Sequence, residues 1–124
     1  MGKAQGSIQV ENLTRGQTLV KAGQVADTFW MRLRGLMGSK PLIPGEGLLI
    51  MPCKSIHTHF MRFPIDVLYA SAAQEVVGID QRLRPWRFGR FYRHVRFVIE
   101  LPAGTAAATG TQVGDQLKVQ GYEV

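Results

Sequence analysis

The sequence has only one cysteine, no long apolar run and few acidic residues. One cysteine in 124 residues excludes an internal disulfide, so a packed core must hold the fold together. No apolar run approaches the ~20 residues that a membrane-spanning helix needs. The N-terminus, MGKAQGSIQV, lacks the apolar segment of a secretory signal, which predicts a cytoplasmic protein as the sequence stands. Residues 2–7 are bland enough to have replaced a removed leader, which keeps an exported, periplasmic location open.

Composition predicts one globular, basic and monomeric unit. With 45% hydrophobic residues in 124, the chain can bury a core of its own. Residues 1–12 are interpreted as an N-terminal extension with the first strand, and residues 13–124 as a single β-rich domain. The net charge of +6 comes largely from arginine, whose planar fork matches phosphate and carboxylate groups.

Apolar alternation and turn formers predict about eight short strands. Residues 8–21 form a β-hairpin, because Ile8 and Val10 alternate with polar residues before the turn TRGQ. Further strands are predicted at 48–51, 55–61, 65–70, 75–79, 97–101 and 116–119, with small-residue connectors such as PAGTAAATG. Without βαβ units, the pattern predicts a mainly β fold, an antiparallel β-sandwich or barrel with one short α-helix.

The helix candidate is the stretch ADTFWMRLRGLMG, residues 26–38. Asp27 can cap it by accepting a hydrogen bond from a free backbone N–H group. The apolar stripe consists of Phe29, Leu33, Leu36 and Met37. Because these positions share one side of a helix, we expect the helix to pack on the sheet.

The stretch SIHTHFMRFPIDVLY, residues 55–69, raises the question of a metal site. In a continuous strand, one face would carry Met51, Cys53, Ser55, His57, His59, Met61 and Phe63. Imidazole, thiolate and thioether suit a soft ion such as Cu(I). However, Pro52 interrupts the strand, and two histidines fall short of a zinc ligand set. We therefore predict no metal and no cofactor.

Asp66 stands in an apolar run, where a carboxylate needs a partner. Arg62 or a later arginine could form a structural ion pair with it, or it could face a pocket with His57. A hydrolase with Ser55 or Cys53 as nucleophile is an alternative built on the same residues. No nucleophile elbow is present, and the apolar context of Cys53 raises a thiol pKa, so no catalytic residue is assigned.

The segment RLRPWRFGRFYRHVR interleaves arginine with aromatic residues. Single-stranded nucleic acid binders combine phosphate contacts and base stacking in this way. The alternative of a nucleic-acid module using residues 82–96 would depend on Arg84, Arg90, Tyr92 and Arg93. Pro85 and Gly89 interrupt regular structure, although GRFYRHVRF could form a helical turn or two.

Several motifs together resemble the domain-of-unknown-function family 192 of small prokaryotic proteins. They are RLRGLMG, GEGLLIMPCKSIHTHFMRFPIDVLYA, EVVGIDQRLRPWR, VIELPAG and VGDQL. The resemblance implies a compact, mostly β domain of jelly-roll type and no known activity. Members often carry an export signal or a lipoprotein leader. The position of His59 is usually aromatic in the family, so His59 is interpreted as filling a packing position.

The family pattern also supplies candidates for a shared pocket. The matching residues are His57, Arg62, Asp66, Trp86, Arg87 and Glu100. In that pocket His57, Asp66 and Trp86 would line the site, while Arg62 and Arg87 would counter negative charge. We therefore predict a non-enzymatic binding module for a small or anionic ligand or a protein partner. Nucleic-acid binding, and a hydrolase-type or metal-dependent activity centred on His57, remain the alternatives.

Overall fold

The computed structural model describes residues 7–124. Within them the elements are β1 (Ile8–Asn12), β2 (Gln17–Ala26), α1 (Phe29–Arg34), β3 (Glu46–Ile50), β4 (Ile65–Ala70), β5 (Val76–Leu83), β6 (Phe97–Pro102), α2 (Thr105–Thr109) and β7 (Leu117–Gln120). The predicted mainly β class is confirmed. The interpretation of residues 2–7 as a replaced leader lies, apart from Ser7, outside the described residues.

The strands form one mixed sheet in the order β5-β4-β6-β3-β2-β1-β7. Neighbours are antiparallel except β2 and β3, which run parallel because residues 27–45 with α1 form a crossover between them. The sheet curls until its two edges meet at a bridge between Glu75 and Gln116. Backbone bonds from Val76 to Asp115 and from Leu117 to Gln74 extend that contact, giving a half-barrel.

The predicted hairpin of residues 8–21 is confirmed as β1 and β2. Ile8 and Val10 are buried and alternate with more exposed positions, as their period of two requires. Strand β2 is longer than predicted and ends at Ala26, and this additional length pairs with β3.

Strands β4 and β6 lie in the middle of the fold and are buried on both faces. Successive side chains alternate between two clusters of apolar residues. Leu68 and Leu101 belong to the first cluster, whereas Val67 and Val98 belong to the second. A polar residue on either strand must therefore find its partner inside the protein.

Helix α1 differs from its prediction in length, cap and packing. It covers six residues, and the capping side chain is Thr28, whose hydroxyl accepts the Met31 N–H at 3.2 Å, so the expected Asp27 cap is wrong. None of its residues is buried, and Phe29 is 64% exposed. The apolar stripe does not dock as a unit, because Gly35 ends the helix before the buried Leu36.

Three further expectations are corrected. Residues 55–61 do not form a strand, and His57 makes only an isolated bridge with Phe88. The segment GRFYRHVRF forms no helix, because residues 89–96 are irregular and Phe97 already begins strand β6. The connector PAGTAAATG contains the second helix, α2, since its alanines favour helix once Gly104 has turned the chain.

Candidate functional site

A cavity of about 250 Å³ lies between helix α1 and the sheet. Helix α1 and its cap form one wall, and the irregular segment 52–57 forms another. Ile50 of β3 and Glu100 of β6 reach the cavity from the sheet. Most of the lining is apolar, as in pockets that hold small ligands.

Glu100 is the unusual residue of this cavity. Leu48 and Val67 lie opposite it on the neighbouring strands, so its side chain enters the apolar second cluster. The residue is 2% exposed, and its Oε1 atom has no hydrogen-bond partner among residues 7–124. Burial raises the pKa of the Glu100 carboxyl to about 8, so the group carries a proton at neutral pH.

Gly35 lines the cavity beside Glu100 and has no side chain to fill it. The residue caps the C-terminus of α1 with a φ of 51°, which favours glycine. A Cβ at this position would lie 3.9 Å from Glu100 Oε1. The absence of a side chain therefore leaves the space above the carboxyl free.

Arginines supply the positive charge in the lining. Arg32 is half-buried and donates from Nη1 to the Asp27 carbonyl oxygen at 3.1 Å, which ties its guanidinium to the loop before the helix. Arg34 is exposed and lies on the same wall. Glu100 is the only acidic lining residue in the described chain, so the cavity favours negative charge.

Cys53 and His57 line the cavity, and each makes a hydrogen bond with the backbone. Burial raises the pKa of the Cys53 thiol, whose sulfur donates to the Ser55 carbonyl oxygen at 2.9 Å. The His57 Nδ1 atom accepts the backbone N–H of His59 at 3.1 Å. Ser55 donates its hydroxyl to the Gly89 carbonyl oxygen, so neither candidate nucleophile is bonded to His57.

Next to the cavity lies an aromatic surface formed by His59, Phe60, Trp86 and Phe88. His57 connects the two regions, because its ring packs against that of His59 at 5.3 Å between centroids. His59 in turn contacts both Trp86 and Phe88. Phe60 and Trp86 adopt φ values of 64° and 63°, an uncommon conformation for bulky residues that marks functional or constrained sites.

Thr58 connects the two loops that carry the aromatic surface. It is fully buried, its hydroxyl contacts the carbonyl oxygens of Arg84 and Arg87, and it accepts the Arg87 N–H at 2.8 Å. Backbone bonds between Thr58 and residues 86 and 87 complete the connection. One buried threonine thus fixes exposed rings that are distant in sequence.

Asp66 lies away from the cavity. It pairs with Leu101 while its neighbour Val67 pairs with Glu100, so alternation directs the two carboxyl groups to opposite faces of the sheet. Its oxygens accept backbone N–H groups from Arg82, Gly104 and Ala106. In the part of the chain that the structure describes, no arginine side chain pairs with Asp66, so the expected ion pair is replaced by bonds to the backbone.

The remaining pocket candidates are dispersed. The structure brings His57 and Glu100 to the same cavity, while Arg62 is exposed and Trp86 belongs to the aromatic surface. The Arg87 guanidinium folds back toward the Pro85 carbonyl oxygen at 3.4 Å. Sequence reasoning missed Arg32 and Gly35. The available signal for a pocket under α1 was Glu100 in the apolar run FVIEL, because a carboxyl group in such a run needs a partner, as at Asp66.

The face proposed for a soft metal does not form. Met51 and Met61 are buried in different clusters, because the chain between them is irregular. Among residues 7–124, no three histidine, cysteine or acidic side chains are grouped closely enough to hold a metal ion.

Of the four nucleic-acid candidates, the three arginines are exposed, whereas Tyr92 is half-buried. Arg90 pairs with Asp80 at 3.3 Å, and Tyr92 packs inward against Tyr69 at 4.8 Å between ring centroids. Arg84 and Arg93 are exposed. Continuous phosphate contacts and stacking would require these side chains in one row.

The chain belongs to domain-of-unknown-function family 192 (DUF192), "Uncharacterized ACR", whose family model matches residues 10–119. Its relatives include UPF0127 proteins of Thermococcus sibiricus and Pyrococcus furiosus, each 34% identical to it. Each match covers 86% of this chain, and 71% and 94% of the two relatives respectively. The family resemblance predicted from the motifs is confirmed.

Two crystal structures share the fold. A protein of unknown function from Novosphingobium aromaticivorans aligns with a TM-score of 0.78 and 20% identity, covering 90% of this chain and 83% of that one. A proposed transcription regulator from Sinorhizobium meliloti aligns with a TM-score of 0.79 and 23% identity, covering 94% of both. These identities establish a common architecture. Separately, none of the helices in residues 7–124 has the length and apolar character to cross a membrane.

Proposed function

We propose that this protein is a non-enzymatic binding domain that holds a small ligand in the cavity beneath helix α1. The supporting observation is Glu100, which lines a mainly apolar cavity and whose buried Oε1 atom lacks a hydrogen-bond partner in the described part of the chain. An unsatisfied buried polar atom costs about 1–3 kcal/mol, which a ligand that supplies the missing hydrogen bond recovers.

The dimensions of the cavity suit a small molecule. Its volume of about 250 Å³ is just below the range of roughly 300–1,000 Å³ typical of ligand pockets. The aromatic surface begins at His57, so it would contact the outer end of a longer ligand. The open wall formed by α1 offers an entry route, because that short helix buries none of its own residues.

Binding suits this arrangement better than turnover. A nucleophilic enzyme needs a nucleophile bonded to a base, whereas Cys53 and Ser55 both donate to backbone carbonyl groups. His57 uses its Nδ1 atom to accept a backbone N–H, so it holds the segment in place.

A fragment screen followed by amide NMR tests the proposal. We expect hits to shift the amide signals of Gly35, Cys53 and Glu100, which border the cavity. Leu33→Trp should block these hits by filling the cavity, whereas Leu13→Trp should not, because Leu13 is similarly exposed but does not line the cavity. Hits that survive Leu33→Trp, or signals that shift only outside the cavity, would refute this location.

A further inference from the structure

We infer that the ligand of this cavity is a small organic carboxylate, held by Glu100 at the sheet and by Arg32 and Arg34 on the helix wall; this inference rests on the proposed function. Two features support this assignment: the charged groups that line the cavity together with Glu100, and the hydrogen bond that Oε1 lacks within residues 7–124.

Each element that borders the cavity contributes groups that share it with Glu100. Helix α1 presents Arg32 and Arg34, and the segment 52–57 presents Cys53 and His57. Strands β3 and β4 place the uncharged residues Leu48 and Val67 directly beside it. Two guanidinium groups therefore act on a cavity whose single acid has no ion-pair partner in the described chain.

This set of groups discriminates between kinds of ligand. A carboxylate ligand can accept a hydrogen bond from the protonated Glu100 while Arg32 counters the charge of the ligand. Hydrogen bonds in which one partner is ionised are stronger than those between neutral groups. A neutral amide can satisfy Oε1 but gains nothing from the arginines. An ammonium group would need an ionised Glu100 and would approach two like charges.

The rest of the lining specifies an apolar body. Phe29, Leu33, Ile50 and Ile56 surround the space beside the acid. Three probes with the same aromatic body separate the possibilities: phenylacetate, phenylacetamide and 2-phenylethylamine. They carry an anionic, a neutral and a cationic group respectively.

Proton dependence gives a second signature. Because the buried Glu100 has a pKa of about 8, the proton that a carboxylate needs is present at neutral pH and lost above that value. The apparent affinity for phenylacetate should then fall about tenfold per pH unit above pH 8. Glu100→Gln keeps an N–H donor at every pH, so its affinity should stay constant over the same range.

Cys53 provides the readout. It is the only cysteine of the chain and is a half-buried residue of the cavity wall. Alkylation by iodoacetamide, followed by mass spectrometry, reports occupancy. At each pH, the ratio of the Cys53 alkylation rates with and without probe gives the dissociation constant of the probe. Because both rates are measured at the same pH, the pH dependence of thiol reactivity cancels.

We expect phenylacetate to slow alkylation severalfold at pH 7, phenylacetamide to do so more weakly, and 2-phenylethylamine to have no effect. Arg32→Gln should weaken phenylacetate about tenfold and leave phenylacetamide unchanged. If Glu100→Gln does not fold, the pH series on the wild-type protein and the Arg32→Gln comparison still decide the question.

Different failures have different meanings. Stronger protection by 2-phenylethylamine, or equal protection by all three probes, would overturn the carboxylate inference while leaving the cavity as a binding site. Phenylacetate affinity that does not change between pH 7 and pH 9 would overturn the role of Glu100. No protection by any probe, together with no cavity hits in the fragment screen, would overturn the proposed function itself.

Discussion

Replacing Glu100 by glutamine should change how the stability of this protein depends on pH. Burial raises the pKa of the folded-state carboxyl from its usual 4.5 to about 8. Between these values the folded protein holds a proton that the unfolded chain has released. Raising the pH therefore favours the unfolded chain, and the stability that this group contributes is full below pH 4.5 and lost as the pH rises to about 8.

The magnitude follows from the linkage between proton binding and folding. Each pH unit in this window lowers the free energy of unfolding by about 1.4 kcal/mol, or about 3 kcal/mol between pH 5 and pH 7. Glutamine has nearly the same shape and does not titrate. Between pH 5 and pH 7, Glu100→Gln should therefore gain about 3 kcal/mol of unfolding free energy relative to the wild type.

Urea unfolding followed by circular dichroism at pH 5, 6, 7, 8 and 9 measures this difference. All other titrating groups are common to both proteins, so their contributions cancel. The difference should level off above about pH 8, where both states of the wild type are ionised. A difference that stays constant from pH 5 to pH 8 would show that Glu100 is ionised or hydrated in the folded protein, and the reasoning would be refuted.

Three other substitutions test the structural basis of the site. Gly35→Ala should destabilise the protein by ~1 kcal/mol, since its φ of 51° disfavours a side chain, and should weaken cavity binding. Asp66→Asn should cost about 2 kcal/mol in urea unfolding, because at least one bonded backbone N–H loses its acceptor, without altering binding. Thr58→Val should cost about 2 kcal/mol and broaden the NMR signals of the aromatic surface, because the Arg87 N–H loses its acceptor.

Each of these has a matched control. Gly38 also has a positive φ, but a Cβ there would meet no atom of the described residues within 4 Å, so Gly38→Ala should destabilise the protein without weakening cavity binding. If Gly35→Ala and Gly38→Ala weakened cavity binding equally, the role of Gly35 would be contradicted. Glu75→Gln and Thr18→Val alter exposed residues and should have effects within ~0.5 kcal/mol. If Asp66→Asn and Glu75→Gln, or Thr58→Val and Thr18→Val, lowered the free energy of unfolding by similar amounts, the stabilising role of the buried hydrogen bonds would be refuted.

The strands were predictable wherever the local hydrophobic pattern was decisive. Ile65–Ala70 coincides with its predicted bounds, because a run that is apolar except for Asp66, between a proline and a small-residue turn, leaves few alternatives. The segment 55–61 has similar local preferences but lacks a neighbouring strand to pair with. The predicted helix forms only over Phe29–Arg34, and none of its residues is buried, so its apolar stripe does not pack on the sheet as expected.

By itself, the sequence determined the mainly β class, the family and the presence of two acids within apolar strands. Only the tertiary structure decided which acid faces a cavity. The backbone N–H groups of Gly104 and Ala106, about forty residues away along the chain, satisfy Asp66, whereas nothing within the described protein satisfies Glu100 Oε1. Local patterns record that a carboxyl group is buried, but its partners come from distant segments that meet only after the chain has folded.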